Sequence, residues 1–327
     1  MTEAEITKWN TESGALLTLA AFHGVSYWSL YKVAKKGIRF RDILQSDSLE
    51  QFEMSLGVKL NRSMYDIPEE SWPAFKRDMV DIARKLMSVY TKQGYKIVHY
   101  GSPEYPKKFM ELRDPPFWFF AQGNYELLEK KSVGVVGTRE PTEKGIFLTQ
   151  SVVSHLIGTD YSTVSGLAYG IDQVAHTASL MLGVPTIAVL GTGVDANYPK
   201  NSEEIRKKII DEGGLIISEY LPDQKPSRDN FVRRNRLQAA LSNVLVPVEW
   251  KLKSGTAHTV KFASELNRKI LCPVLRNQNI SDEISYSINN YGAEIFNVPL
   301  FNDADLSNLL SGIKKEGNPQ LSFFGDI

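Results

Sequence analysis

From residue 132 onward, short apolar runs alternate with helical patterns, and this alternation limits the fold more than any other feature of the chain. Strands are predicted at residues 132–136, 163–164, 186–190, 215–217, 244–248 and 270–273. Helical patterns of about 10 to 15 residues lie between them, near residues 143–157, 171–182, 201–211, 230–241 and 256–266. Strands that alternate with helices of this length are typical of a parallel, doubly wound sheet with helices on both faces. We therefore predict an α/β fold for this part of the chain.

Pro247 lies inside one of the predicted strands, at residues 244–248. Proline has no backbone N–H and cannot donate a hydrogen bond to a neighbouring strand. We therefore expect a bulge at this position, or a strand that ends early.

The first 97 residues predict a small all-helical domain. Apolar residues recur with helical spacing at residues 15–22, 28–34, 40–44, 49–56 and 72–93. Residues 22–27 contain no Gly-x-Gly hairpin that would bind a DNA backbone, so a scaffold or a partner surface is favoured here. The predicted organisation is a helical domain at 1–97, an α/β domain at 98–313 and a flexible tail at 314–327. After residue 275 only a strand near 294–298 and a helix near 304–313 are expected, which leaves no room for a C-terminal winged-helix domain.

The chain has no overall excess of positive charge from which nucleic-acid binding could be inferred. The 327-residue chain has 38 Lys and Arg against 38 Asp and Glu, for a formal net charge of zero. Binding to nucleic acid therefore requires a local positive patch. A single cysteine, Cys272, excludes an internal disulfide framework, and the five histidines lack metal-ligand spacing. No metal and no cofactor is predicted.

No feature of the sequence suggests a membrane or an export signal. The N-terminus has no basic segment followed by an apolar one, and no apolar run reaches membrane length. We expect a cytoplasmic protein without membrane contact.

Glycine-rich junctions between strands and helices predict phosphate-binding loops. Backbone N–H groups at such junctions have no partner within the helix and point outward from the carboxyl edge of the sheet. The candidates are Gly137, Thr138, Arg139, Ser165, Gly166, Gly170, Gly191 and Gly193. Arg139 would hold a phosphate through two parallel hydrogen bonds. The glycine spacing does not match the dinucleotide fingerprint, so NAD is disfavoured.

An acid and an imidazole lie four residues apart on the helix that follows Gly170. Asp172 is expected to accept hydrogen bonds from backbone amides in the first turn. His176 is interpreted as a structural histidine with Asp172 as a possible partner, because no candidate nucleophile accompanies it. No catalytic residue is predicted.

The densest basic cluster is Arg233, Arg234, Asn235 and Arg236. On a helix, residues 233 and 236 share roughly one face, and 234 and 235 diverge from it. We expect Arg234 or Arg236 to be structural, with Glu219 as an internal partner for one arginine, and at least one of the others to bind phosphate.

Further candidates complete the site. Lys200, at a predicted helix start, would bind a second phosphate, and Ser254, Gly255 and Thr256 form another loop of this kind. Tyr169 and Phe231 are candidates for stacking on a base.

Six motifs, in this order, resemble the DNA-processing protein family known as DprA or Smf. They are Gly137-Thr138-Arg139 with Gly145, residues 165–172 with His176, residues 190–195 with 198–201, residues 218–219, Phe231 with residues 234–236, and residues 254–256 with Thr259. The resemblance implies an extended Rossmann-like domain, a homodimer and single-stranded DNA held in a positive pocket. It further implies that the strand is passed to the recombinase RecA during natural transformation and DNA uptake.

A related group of nucleotide hydrolases, the cytokinin-activating phosphoribohydrolases, carries Gly-Gly-x-Gly-Thr followed by a catalytic glutamate. Here the leading glycine pair is missing and His258 occupies the position of that acid. The chain therefore lacks the catalytic acid of this group, and we do not expect it to be an enzyme.

Residues Gln320, Leu321, Ser322, Phe323 and Phe324 are similar to the short peptide by which many bacterial proteins bind the replicative sliding clamp. An extended peptide with two aromatic anchors on a flexible tether suits a groove in a partner. The alternative is that the tail folds its phenylalanines onto its own domain.

Two functions remain open from the residues. The first is a single-stranded DNA-binding recombination mediator, and the second is a small-nucleotide sensor with the same phosphate pocket. They differ in length dependence, because only the DNA-binding protein gains affinity from a mononucleotide to an oligomer.

Overall fold

The computed structural model describes residues 2–60, 71–200, 202–298 and 310. The described part of the N-terminal region is helical, as the sequence predicts. Its helices are α1 (Glu3–Ala21), α2 (Tyr27–Lys35), α3 (Phe40–Ile43), α4 (Leu49–Leu56) and α5 (Trp72–Lys92).

Within the described residues the strands form a nine-stranded, mostly parallel sheet with the order β1-β2-β6-β5-β4-β3-β7-β8-β9. Only the pairs β1–β2 and β2–β6 are antiparallel. The strands are β1 (Tyr95–His99), β2 (Trp118–Gly123), β3 (Ser132–Gly137), β4 (Ser162–Ser165), β5 (Thr186–Val189), β6 (Leu215–Ser218), β7 (Val244–Val248), β8 (Lys269–Leu275) and β9 (Glu294–Val298).

Helices connect the parallel strands and confirm the predicted fold class. They are α7 (Glu143–Ser154), α8 (Ile171–Met181), α9 (Ser202–Asp211), α10 (Arg228–Leu241), α11 (Gly255–Glu265) and α12 (Asp282–Tyr291). A short helix α6 (Lys107–Met110) and a 3₁₀ turn (Tyr125–Leu128) come earlier in the chain. Strands β4, β5 and β6 are buried along their whole length, because helices cover both faces of the sheet.

The chain order reverses between β3 and β7. Strands β4, β5 and β6 follow β3 toward one edge, and β7, β8 and β9 continue from β3 toward the other. In an open α/β sheet, the carboxyl ends of the strands at such a reversal form a crevice in which ligands bind. The topology therefore predicts a ligand-binding site at the loops that follow β3 and β7.

Strand β7 corrects the expectation about Pro247. The strand continues to Val248, and Pro247 pairs in register with Val136 of β3. On the other side, the pairing of β7 with β8 covers only Val244 and Leu245. Because no ladder to β8 exists at Pro247, the missing N–H costs no hydrogen bond on that side and neither a bulge nor an early end is needed.

The N-terminal helices pack on the antiparallel part of the sheet. Trp118 and Phe120 of β2 belong to the same buried cluster as Tyr27, Phe40 and Tyr90 of the helices. Trp118 is 5.4 Å from Tyr27 and 5.5 Å from Phe40, measured between ring centroids. The two parts of the chain therefore share one apolar core.

A buried histidine joins α1 to β1. The Nε2 atom of His99 lies 2.9 Å from the Ser13 hydroxyl, and its ring stacks on Trp9 with centroids 5.9 Å apart. Burial lowers the pKa of His99 to about 4, because the charged imidazole loses its solvation.

Acidification is therefore expected to lower the free energy of unfolding. The unfolded chain takes up a proton on His99 below about pH 6.5, and the folded chain does so only near pH 4. This contribution to stability is complete above about pH 6.5 and is lost as the pH falls toward 4, by up to about 3 kcal/mol. Urea unfolding of wild type and His99→Gln at several pH values between 7 and 4.5 tests this.

The variant is expected to have a shallower dependence of stability on pH than wild type. The same substitution at the exposed His258 controls for loss of an imidazole. Equal slopes for wild type and His99→Gln would contradict the prediction.

The predicted helix at 304–313 lies outside the described residues, apart from the buried, helical Leu310. The predicted tail at 314–327, including the clamp-like peptide, lies outside them as well. Among the described helices, none combines the length and apolar character that a membrane span requires.

Candidate nucleic-acid interface

A cavity of about 1110 Å³ lies at the chain reversal between β3 and β7. Its walls come from the loop after β3, the loop after β7 and the first turns of α10 and α11. The cavity therefore occupies the crevice that the topology indicates, and its volume is slightly above the usual range of ligand pockets.

Glu249 fixes the loop that carries Arg139. Its backbone carbonyl accepts a hydrogen bond from the Thr138 amide at 3.0 Å. Its carboxylate accepts from the amide of Thr142 at 2.8 Å and from the Thr142 hydroxyl at 2.6 Å. Glu249 has a φ of 46°, which is uncommon for a residue other than glycine. The end of β7 therefore holds the loop after β3 in place.

Arg139 is the exposed cation of this loop. Its guanidinium lies 5.5 Å from the centre of the Phe231 ring, and no carboxylate within the described residues pairs with it. An arginine held by a ring and not by an acid is available to bind an anion.

The start of α11 faces the same cavity. Ser254 precedes the helix without a capping bond from its side chain, and its hydroxyl has no partner among the described residues. The hydroxyl of Thr256 donates to the Gly137 carbonyl at 3.0 Å, and the Asn235 amide donates to the Gly255 carbonyl at 3.0 Å. The first turn of this helix, with its unpaired N–H groups, is thereby fixed against the loop after β3.

The cavity is strongly cationic although the whole chain is neutral. Among its lining residues, Asp172 is the single carboxylate. Six basic side chains also line the cavity: Arg139, Arg228, Arg234, Lys251, Lys253 and Lys261. This is the local positive patch that the charge balance requires for nucleic-acid binding.

Four of these cations were not predicted: Arg228, Lys251, Lys253 and Lys261. A signal was present for two of them, because Lys251 and Lys253 follow directly after the β7 strand. Loops at the carboxyl ends of parallel strands line the binding crevice, so basic residues in such a loop are candidates by position alone.

Phe231 lies close to two arginines of the cavity wall. Its ring is 5.5 Å from the Arg139 guanidinium, 5.9 Å from that of Arg234 and 5.3 Å from the ring of Tyr198. The other predicted stacking residue, Tyr169, is 44% exposed but lies outside the lining residues. The structure thus brings Phe231, and not Tyr169, into the cavity wall.

Arg234 is a buried residue of the cavity wall that hydrogen-bonds to the backbone of neighbouring segments. It is 3% exposed and donates to the carbonyl oxygens of Gly166, at 2.8 Å, and of Val189. Burial lowers the pKa of Arg234 and raises that of the neighbouring Asp172. The Asp172 carboxylate accepts the Gly166 amide at 3.1 Å. Asp172 therefore accepts from a backbone amide as predicted, but this amide belongs to the loop before α8 and not to the first turn of the helix.

His176 does not pair with Asp172, which corrects that suggestion. Its Nδ1 atom lies 2.8 Å from the Thr186 hydroxyl on β5. The ring is fully buried, and burial lowers its pKa to about 3. The four-residue spacing places both side chains on α8, but a hydroxyl on the neighbouring strand is the nearer partner.

Arg233 and Arg236 lie outside the cavity wall, so the structure does not bring these two candidate phosphate ligands together with Arg139. Arg236 makes two hydrogen bonds of 2.6 Å to the carboxylate of Glu219, the internal partner that was predicted for one arginine. Arg233 pairs with Asp114, and its guanidinium lies 5.1 Å from the ring of Trp28. Both arginines therefore join α10 to other parts of the fold.

Three of the glycines that were predicted to bind phosphate face other parts of the protein. A Cβ at Gly166 would lie 2.4 Å from Arg234, and one at Gly191 would lie 2.3 Å from the Phe231 ring. The Gly193 amide donates to the Gln224 carbonyl at 2.9 Å. At Gly166 and Gly191 the missing side chain makes room for Arg234 and Phe231, and the Gly193 amide is paired within the protein.

Ser165 and Lys200 also lie outside the cavity wall. The Ser165 hydroxyl is buried and donates to the Val135 carbonyl at 2.7 Å. Lys200 is exposed on a different part of the loop from Tyr198, which does line the cavity. Within the described residues, no group of three or more His, Cys, Asp or Glu side chains is arranged to hold a metal.

Together, the doubly wound sheet and the cavity at its chain reversal define an extended Rossmann-like protein with a cationic crevice. A family model described as DNA recombination-mediator protein A matches residues 96–299. Because this match covers more than half of the chain, the protein belongs to that family.

Individual relatives agree with this assignment. The chain is 41% identical over 172 residues to Protein Smf of Synechocystis sp., covering 51% of this chain and 43% of that protein. It is 38% identical over 166 residues to DNA processing protein DprA of Streptococcus pneumoniae, covering 51% and 58% respectively. The chain thus spans about half the length of these curated relatives.

Two solved structures are similar. DNA processing protein A of Helicobacter pylori, described in a single-stranded DNA binding mode, aligns with a TM-score of 0.57 and 29% identity over 66% of this chain and 95% of its own. The DprA structure of Streptococcus pneumoniae aligns with a TM-score of 0.61 and 26% identity over 90% and 95% respectively.

Proposed function

We propose that this protein binds single-stranded DNA in the cationic cavity, protects the strand and helps to load the recombinase RecA on it. The observation that carries the proposal is the cavity wall itself, with six basic side chains against one carboxylate. Phosphates would be neutralised chiefly by Arg139, Lys251 and Lys253, and the first turn of α11 would offer backbone amides.

The aromatic side chain in the cavity wall favours a single strand over a duplex. Phe231 offers a ring in the cavity wall, and base stacking on aromatic side chains is the usual way in which unpaired bases are held. Binding should be nearly independent of sequence and should weaken as salt increases. No catalytic step is required.

Arg139→Ala is expected to weaken binding of an oligo-dT strand by roughly 10- to 100-fold. The substitution removes charge-assisted hydrogen bonds to a phosphate, each of which contributes about 1.5 to 3 kcal/mol. Fluorescence anisotropy with labelled oligo-dT of increasing length, at two salt concentrations, measures the effect. Arg84→Ala, an exposed arginine on α5 that pairs with Asp81, is the matched control.

The same titration separates the two functions that the sequence leaves open. Affinity that rises from mononucleotide to oligomer supports the DNA-binding proposal, and affinity that is already complete with a mononucleotide supports a small-nucleotide sensor. If no oligonucleotide binds at any length, the DNA-binding proposal is wrong.

Loading of RecA and formation of a homodimer rest on family resemblance and are part of the proposal. RecA assembly on the same oligonucleotides, with and without this protein, tests the first, and sedimentation of the free protein tests the second. Clamp binding through residues 320–324 stays a prediction, tested by adding the sliding clamp to wild type and to Phe323→Ala/Phe324→Ala.

A further inference from the structure

We infer that the single strand continues out of the cavity onto a second binding surface on α2, formed by Trp28, Lys32 and Lys35. This inference rests on the proposed function and extends it beyond the α/β domain. We call these three residues, with Lys36 and Arg39 beyond the helix end, the α2 stripe.

The α2 stripe is a continuous, exposed face. Positions 28, 32 and 35 are spaced i, i+4 and i+7, so they lie on one side of the helix over a length of about 10 Å. Trp28 is 46% exposed, and Lys32 and Lys35 are exposed as well.

The charge of the stripe is unbalanced. Helix α2 contains no acidic residue, and no carboxylate of the described residues pairs with Lys32, Lys35, Lys36 or Arg39. The nearest acid along the chain, Asp42, lies 3.7 Å from Arg41. Lysines in the last turn of α2 also stabilise the helix dipole, but that role needs neither Arg39 nor an exposed tryptophan two turns earlier.

The stripe lies next to α10, on the other side of that helix from the cavity wall. The guanidinium of Arg233 lies 5.1 Å from the Trp28 ring. On the same helix, Phe231 and Arg234 line the cavity. A strand that stacks on Phe231 therefore has to pass around α10 to reach the Trp28 ring and the lysines after it, so only a long oligonucleotide contacts both surfaces.

Single-stranded DNA fits this surface better than other acidic partners do. An exposed ring followed by cations at one-turn intervals offers stacking for a base and neutralisation for the phosphates that follow. The rings of Tyr27 and Tyr31 pack edge-on against Trp28, at 5.1 and 5.5 Å, and hold it in position.

The test compares short and long oligo-dT on Lys32→Ala/Lys35→Ala and on a control, Lys85→Ala/Lys92→Ala, which removes two exposed lysines from α5. We expect the α2 variant to bind long oligonucleotides roughly tenfold more weakly than the control at 0.1 M salt. The slope of log K against log salt should fall by about 1.4, which corresponds to two phosphate contacts. Binding of oligonucleotides that only fill the cavity should be unchanged.

A second readout uses Trp28 directly. Long oligonucleotides should quench more fluorescence in wild type than in Trp28→Phe, whereas short ones should quench both equally. If the α2 variant binds long oligonucleotides like the control, or if Trp28→Phe shows no difference in quenching, the inference is wrong and the stripe serves another acidic partner. Failure of wild type to bind any oligonucleotide would instead reject the proposed function.

Discussion

Arg236→Ala is expected to lower the free energy of unfolding by about 3 to 5 kcal/mol. The guanidinium makes two hydrogen bonds of 2.6 Å to the carboxylate of Glu219, which is 1% exposed. Removing the arginine leaves this buried carboxylate with one hydrogen-bond donor, the Tyr27 hydroxyl at 3.0 Å, and with Arg233 as a more distant cation at 3.7 Å. Urea unfolding at pH 7 measures the loss.

Two comparisons isolate the buried pair. Arg84→Ala removes an exposed arginine at 3.0 Å from Asp81 and should cost at most about 0.5 kcal/mol. The double variant Arg236→Ala/Glu219→Ala should be less destabilised than the sum of the two single variants, because each single variant leaves a buried charge without its two short hydrogen bonds. A loss below about 1 kcal/mol for Arg236→Ala would contradict the prediction.

The Arg236–Glu219 pair shows how much of the role of the basic cluster at residues 233–236 can be predicted from the sequence. Helical periodicity separates Arg233 and Arg236 from Arg234 and Asn235, and the structure confirms that separation. Which side faces the cavity is decided by Glu219 and Asp114, which are distant in sequence. A local pattern therefore defines the two faces of α10 but cannot assign them.

The strands and helices of the α/β domain were predictable because burial on both faces of a parallel sheet gives unbroken apolar runs. The part of α1 before residue 15 was harder to predict, because both of its buried residues are polar. Glu12 accepts the Phe40 amide at 2.7 Å, and Ser13 contacts His99. Such partners lie on other segments, so the apolar pattern of the helix is interrupted for reasons that the local sequence does not contain.

The glycines show that the local sequence is equally limited in predicting the residues of the site. A glycine in a loop indicates that something approaches the backbone closely, but the sequence does not say what. At Gly166 it is the Arg234 side chain, and at Gly191 it is the Phe231 ring. At Gly170 it is the loop that carries Arg139.

Gly170→Ala is expected to weaken binding of single-stranded DNA at least 100-fold and to destabilise the fold by about 3 kcal/mol. Gly170 has φ 80° and ψ −130°, a conformation that is essentially limited to glycine. A Cβ would lie 2.3 Å from the Thr138 carbonyl oxygen and 2.6 Å from the Arg139 carbonyl carbon. The Ile171 amide also donates to the Thr138 carbonyl at 3.0 Å, so the loop has to move away from the start of α8.

Gly158→Ala separates backbone strain from displacement of the loop. Gly158 has a φ of 73°, and an added Cβ meets nothing within 4 Å. Its substitution should cost about 1 kcal/mol of stability and leave DNA affinity unchanged. Combining Gly170→Ala with Arg139→Ala should weaken binding by less than the product of the two single effects, because both act on one loop. Equal affinities for Gly170→Ala and Gly158→Ala would instead mean that the loop after β3 does not hold the strand.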